Sequence, residues 1–239
     1  MKGKLREEGV DRDIFAMPSL VAAAHELKSP LVLMRQLALS MEDDTFDATD
    51  VRKIAERLEL TSERALRLVD DLTQTQRLQD GLFDLEPLNP VALCDEVVAE
   101  LAPLYAAHKR TLHIRRRRNP PLVVANRSLL RRVVTNFVDN ALHYTYDNQP
   151  VIIETHSIGD KVRISVRDRG PGVSATLRQS LSATPSLQKP SRRPASSGLG
   201  LYIARQFAEA MQGSVGVVRH RDGASFYVEL GGSTQLSWL

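Results

Sequence analysis

The chain is poor in cysteine, in long apolar runs and in net charge, and each shortage removes a class of protein. Cys94 is the one cysteine among 239 residues, so no disulfide can close within the chain and no zinc cluster can be built from its thiolates. That usage suits a reducing compartment, and a cytoplasmic location is expected. Apolar runs end after a handful of residues, well short of the ~20 needed to cross a bilayer. No basic-then-apolar signal segment opens the sequence either. Membrane insertion by this chain is therefore not expected. The formal net charge of +3, from 32 basic and 29 acidic residues, is too slight to argue for nucleic acid. The one basic run, Arg115 to Arg118, is read as the solvated end of a strand entering the Asn119-Pro120-Pro121 turn, with a phosphate-binding patch as the alternative. There is no internal repeat.

The composition that remains, 42% apolar and 26% charged, is that of an ordinary globular chain. Its texture changes near Leu88. Before that point apolar positions recur at spacings of three and four, through Leu20, Ala24, Leu27, Leu31, Met34, Ala38 and Met41. A second series runs through Val51, Ile54, Leu58, Thr61, Ala65, Leu68 and Leu72. Both are heptad seams and predict two long amphipathic helices. The short acidic link, Glu42 to Thr49, folds them back as a hairpin. One such hairpin has little to bury alone, whereas two make a four-helix bundle, so a homodimer is expected.

In the first helix, "AAAHELKSPL" puts His25 one residue past a seam position, facing water. An exposed surface histidine would be the plain reading of a random helix. Pro30 argues otherwise, because its ring opposes the carbonyl of Glu26 and removes a helical hydrogen bond, at a cost of ~3 kcal/mol or more. Glu26 adjoins His25, and Ser29 lies one turn on along the same face. An imidazole, a carboxylate, a hydroxyl and a disturbed backbone make a candidate site.

After Leu88, β-branched residues, glycine and proline become common. Period-two strands are expected at 112–116, 122–125, 151–156, 161–168, 215–219 and 224–230. Helices are expected near 91–107, 127–143 and 199–212, the last closed by Gly213 in a left-handed conformation. The fold class is α+β: a helical hairpin dimerising into a four-helix bundle, then an α/β sandwich with helices on one face of a mixed sheet. The expected divisions are a leader at 1–16, the hairpin at 17–80, a linker at 81–88, the sandwich at 89–232 and a tail at 233–239.

Three stretches of the second half carry chemistry. In "NFVDNALHYT", Asn136 and Asn140 sit four apart on one helix face, and amide oxygens are hard neutral ligands suited to Mg²⁺ beside substrate phosphates. A pair of surface asparagines is the alternative. In "DRGPGV", Asp168 can accept a hydrogen bond from an exocyclic amine while Gly170 and Gly172 let the backbone approach a planar ring. In "SSGLGLYIARQ", Gly198 and Gly200 open a helix whose terminal amides suit phosphate. No Walker loop occurs, and the third glycine of a dinucleotide fingerprint is missing.

In this order, these motifs resemble the catalytic core of a bacterial sensor histidine kinase of two-component signalling. "HELKSPL" resembles the H-box of the dimerisation and histidine-phosphotransfer domain. The other three resemble the N, G1 and G2 boxes of a Bergerat-type ATP-binding domain, and the likeness covers about residues 17–232. The resemblance implies that His25 accepts the ATP γ-phosphoryl group and that Glu26 orients its ring or takes its proton. With Ser29, Glu26 also matches a pattern through which related kinases dephosphorylate their partner. Asn140 would bind Mg²⁺ and Asn136 would support the phosphates. His143 stands where the family carries lysine or arginine. Tyr144 would line the adenine pocket, and Asp168 would read the adenine amine beside Gly170 and Gly172. Ser197, Gly198, Leu199, Gly200 and Leu201 would form the phosphate loop, with Arg192 and Arg193 on an ATP lid. The implied partners are ATP, ADP and a response-regulator receiver domain, and the chain would be a soluble kinase or the soluble core of a membrane-associated sensor. A nucleotide-binding dimeric scaffold without phosphotransfer is the competing reading. It draws on His143 and on the missing aromatic box after Gly172. A conformational ATPase of the same superfamily is a third, opposed by the H-box hairpin.

The expected lid, residues 173–197, holds seven serines, three prolines and four basic residues, with no acidic or aromatic side chain. With so little to bury it cannot offset its ordering entropy, and it should order only when a triphosphate engages its arginines. Trypsin should therefore cut quickly after Arg178 and Arg192, the lid sites not followed by proline, without nucleotide and slowly with a non-hydrolysable ATP analogue and Mg²⁺. Equal cutting in both states would contradict that expectation.

Overall fold

The computed structural model describes residues 20–41, 47–79, 83–116, 120–173 and 199–233. The chain divides into two compact units, Met1–Val69 and Asp70–Leu239. The lid, Ser197, Gly198 and the side chains of His25, Glu26 and Leu199 lie outside the described residues.

The first unit holds helix α1, Leu20–Ser40, and the greater part of helix α2, Ala48–Gln79. Pro30 lies inside α1 without ending it. Helix α2 starts ahead of its expected first seam residue, Val51. The reason is a cap: the Asp47 carboxylate accepts the amides of Thr49 and Asp50, each at 2.8 Å. Those two bonds also hold the Asp47 carboxyl below the usual range, the Asp50 amide most of all. Along the seams, Leu27, Met34, Val51, Ile54, Leu58, Thr61 and Leu68 are half-buried and Ala65 is buried. Leu31 and Leu66, however, are 56% and 62% exposed, with Val32, Leu33, Leu39 and Leu60 also open to solvent.

In the second unit the elements after α2 are β1 (Glu86–Leu88), α3 (Pro90–Ala107), β2 (Thr111–Arg115), β3 (Val123–Ala125) and α4 (Arg127–Tyr144). They continue through β4 (Pro150–Ile158), β5 (Lys161–Arg167), α5 (Leu199–Ala210), β6 (Ser214–His220) and β7 (Gly223–Gly231). A five-stranded sheet runs in the order β2-β4-β5-β7-β6. It is mixed, with β2 parallel to β4 and the other neighbours antiparallel. Alternation places Val162, Ile164 and Val166 of β5, and Phe226, Val228 and Leu230 of β7, in the core. Helix α4 meets them with Val133, Val134, Phe137, Val138 and Ala141, all buried. Asn89 and Asn126 cap α3 and α4, each accepting two amides of the first turn.

Three local expectations change. Residues 86–88 of the expected linker form β1, pairing antiparallel with β3 from Glu86 against Ala125 to Leu88 against Val123. The left-handed residue after α5 is Gln212, at φ 58°, rather than Gly213. Gly213 is required for another reason, since a Cβ there would stand 2.4 Å from the Glu229 carbonyl oxygen. The basic run is not simply solvated: Arg115 reaches Glu154 at 2.5 Å and Arg116 grips Asp95 through both carboxylate oxygens at 2.9 Å. No described helix is long and apolar enough to cross a membrane.

Phe137 is 1% exposed and faces Phe226 with ring centroids 6.0 Å apart, joining α4 to the sheet. Phe137→Ala should cost ~3–5 kcal/mol through the cavity it leaves. Phe137→Leu should cost less than about 1.5 kcal/mol. Urea unfolding of the two variants checks the difference.

Candidate active site

The apolar period of α4 turns one stripe of the helix away from the sheet, and that stripe carries the two asparagines. Asn136 is 7% exposed, while Asn140 is half-buried one turn on. The Asn136 side-chain oxygen lies 3.6 Å from where a Cβ of Gly200 would stand. A Cβ there would make an ordinary van der Waals contact, so the two residues are immediate neighbours. The Asn136 amide nitrogen is buried and has no partner among the described residues. A buried donor without an acceptor costs about 1–3 kcal/mol. That donor, on a helix bordering a helix whose first turn carries Gly200, is left available to an acceptor from outside the described residues.

Asp168 follows β5 and is 4% exposed. Its amide donates to the Ala224 carbonyl at 2.9 Å, and its carboxylate accepts the Ala224 amide at 3.1 Å. Burial pushes its carboxyl above the usual range, while the amides of Ala224 and Gly170 pull against that rise. The backbone around it is packed too tightly for side chains. A Cβ on Gly170 would lie 2.2 Å from the Tyr144 carbonyl oxygen, and one on Gly223 would lie 2.2 Å from the Asp168 carbonyl oxygen. Gly172 takes a φ of 73° and Gly223 a φ of 142°, both in the region that favours glycine. The Tyr146 amide donates to the Arg169 carbonyl at 2.9 Å, fastening the chain after α4 to the loop after β5.

The structure thus brings Tyr144, Asp168 and Gly170 to one end of α4, and Asn136 and Gly200 together further along it. Tyr144 and Leu201 are half-buried and His143 is exposed. Ser29 is exposed on α1, in the other unit. Sequence reasoning missed three groups here. Gly223 and Ala224 hold Asp168 from β7, fifty residues away in sequence, and no local pattern announces them. Thr145 ends the "NALHYT" stretch and was given no role, yet it is 1% exposed with its hydroxyl unpartnered. Asp222 grips Arg167 at 2.6 Å and Arg169 at 3.3 Å, bracing both flanks of Asp168. Among the described residues no cluster of His, Cys, Asp or Glu could hold a metal by itself. Asn140 can offer one neutral oxygen, the kind of ligand that suits an ion whose other ligands are phosphate and water.

The packing around Asp168 has a direct test. Gly223→Ala should destabilise the chain by more than about 2 kcal/mol, because two backbones would have to separate. Gly231→Ala, in open space in the same strand, should shift stability by no more than about 1 kcal/mol. Thermal unfolding of both variants checks this.

Comparison with known proteins agrees with this geometry. Residues 125–233, from β3 to just past β7, match the family described as histidine kinase-, DNA gyrase B-, and HSP90-like ATPase. The adaptive-response sensory kinase SasA of Synechocystis is 26% identical over 95% of this chain. The sensor protein SphS of Synechococcus elongatus is 33% identical over 82% of it. The chain spans 62% and 50% of the lengths of those two relatives. Among solved structures, histidine kinase ThkA in complex with response regulator protein TrrA superposes with a TM-score of 0.64 at 20% identity. That match covers 90% of this chain and 61% of the other. Residues 125–233 thus match a histidine kinase-, DNA gyrase B-, and HSP90-like ATPase domain, and the chain that carries them is similar over most of its length to sensor kinases.

Proposed function

We propose that this chain is the core of an ATP-dependent protein-histidine autokinase, transferring the γ-phosphoryl group of ATP to His25 and then to an aspartate of a response regulator. The observation that carries the reading is the buried, unpartnered amide of Asn136 beside Gly200, on the same helix as the backbone cage around Asp168. One end of that helix suits a base and the other suits phosphates. Asp168 would accept the adenine amine, Tyr144 would cover the ring, and Gly170 and Gly172 would leave it room. Asn136 and the first turn of α5 would hold the phosphates, joined by Ser197, Gly198, Arg192 and Arg193. Asn140 would hold Mg²⁺, which supplies charge neutralisation at the phosphates.

In the transfer, a ring nitrogen of His25 forms a bond to the γ-phosphorus as the bridging P–O bond breaks. ADP departs with that electron pair, and Glu26 receives the ring proton. The regulator's carboxylate then takes the phosphoryl group and restores the imidazole. Ser29, one turn from His25, would place a water to attack the regulator's aspartyl phosphate, releasing inorganic phosphate and the free carboxylate. The similarity to the ThkA–TrrA complex supports a receiver domain as partner.

The exposed Leu31, Leu33, Leu39 and Leu66 support a homodimeric four-helix bundle, in which two copies of the hairpin cover these side chains. The domain division proposed with it is hairpin 17–80, a linker shortened to 81–85 by strand β1, and an ATP-binding domain from 86 to 232. A cytoplasmic location fits the single buried cysteine.

Incubation with γ-labelled ATP and Mg²⁺ tests the reading. The label should be lost in acid, survive base and be absent from His25→Gln. Asn140→Ala should still bind nucleotide but lose at least about a hundredfold in transfer rate, roughly 2.7 kcal/mol of barrier. Equal labelling of His25→Gln would refute the phosphoacceptor. Nucleotide binding with no label on the native chain would favour the scaffold.

A further inference from the structure

The proposed nucleotide site leaves one buried charge pair unexplained. Asp71, on the last turns of α2 within the second unit, is 3% exposed. Both its carboxylate oxygens accept from Arg132 of α4, one from Nε and the other from Nη2 at 2.7 Å. A buried pair of this kind is weak evidence for stability, because apolar residues of similar volume often serve as well. Burial also pushes the Asp71 carboxyl up, with Asp70 and Asp139 adding to the rise and Arg132 opposing it. The carboxylate is therefore a poorly solvated partner, and a more highly charged anion could displace it. Beside it, the side-chain oxygen of Gln74 is buried without a partner, so this end of α2 is not fully satisfied.

The position of Arg132 says which anion. Arg132, Asn136 and Asn140 recur every four residues along α4, close to one face. The far end of that stripe is Tyr144, whose carbonyl meets Gly170 beside Asp168, at the base end of the site. Movement back along the helix from Asn140 to Asn136 follows the nucleotide from base to phosphates. Arg132 comes next, about 6 Å further along the axis, at the terminal-phosphate end. A guanidinium fork matches phosphate oxygens as well as it matches a carboxylate. The unpartnered amide of Asn136, one turn away, independently leaves a donor there for an acceptor such as a phosphate oxygen.

We propose that Arg132 is a γ-phosphate ligand held in reserve by Asp71, so that the carboxylate at the end of α2 and the terminal phosphate of ATP compete for one guanidinium. ADP, which lacks that phosphate, leaves the pair intact. The site would then distinguish ATP from ADP, and α2 would be released from α4 only by the triphosphate. This rests on the nucleotide reading of Asn136 and Asp168.

The test measures ATP and ADP affinities of the full chain with Mg²⁺ by calorimetry, for the native protein, Asp71→Asn and the double variant Asp71→Asn/Arg132→Gln. The double variant leaves no buried charge unpaired, and circular dichroism confirms that it folds. Asp71→Asn should tighten ATP about tenfold with ADP little changed, the scale of a charge-assisted bond no longer contested. The double variant should bind ATP at least about tenfold more weakly than Asp71→Asn, with ADP again unchanged. If the ratio of ATP to ADP affinity is the same in all three proteins, the reserve ligand is refuted while the nucleotide site stands. If the native chain binds neither nucleotide, both readings fall.

Discussion

Around Asp168 the end of α4, the end of β5 and the start of β7 come so close that Gly170 and Gly223 have no room for a Cβ. The rest of the second unit depends on that approach. It fixes the Asp168 carboxylate against the Ala224 amide, and it fastens the end of α4 through the Tyr146–Arg169 bond. With one end of α4 pinned there and Phe137 wedged against Phe226, the helix has no freedom to roll. The stripe opposite its apolar face is then presented at a set angle, which is what a constellation of Asn136, Asn140 and Gly200 requires.

This arrangement separates two energetic tasks along a single helix. The residues that meet the sheet, Val133, Val134, Phe137, Val138 and Ala141, contribute apolar burial at about 25 cal/mol per Å². Asn136, between them in sequence, is buried nearly as deeply and lacks a partner for its amide. That polar deficit is tolerable because the flanking apolar contacts outweigh it many times over. The described side chains here are held in place by those contacts, so the ordering that a ligand would have to bring about falls on the expected lid.

Helix α2 crosses from one compact unit into the other, and its last turns are tied to α4 by Asp71 and Arg132. The histidine that would receive phosphate is in the first unit and the nucleotide side chains are in the second. Chemistry that links them requires a coupling element, and the Asp71–Arg132 pair that ties the last turns of α2 to α4 is suited to that task. Unlike a surface pair, it is shielded from salt and shifts only when another charge takes its place.

Much of this was legible in the order of residues. The seams, the period-two strands and the apolar face of α4 are local patterns, set by side-chain spacing on a helix or strand, and the elements formed within a few residues of where those patterns lie. The asparagine pair and the glycine boxes were visible as short runs, but their order along the chain, rather than any one run, carried the expected chemistry. What the order of residues could not give were contacts closed by distant segments. Strand β1 was hidden in an expected linker because its partner, β3, lies about forty residues on. Gly223 and Ala224 had no local signature, since their role is to fit against Asp168 on a neighbouring strand. Gly213 was read as a helix terminator, yet it is the Glu229 carbonyl that demands a glycine there. Asp71 adjoins the seam residue Leu72 and carries no signal of its own in the sequence, and only packing on α4 gave it Arg132. Local periodicity is written in neighbouring side chains, whereas close approach and charge pairing arise when the chain returns on itself, and those only the tertiary structure decided.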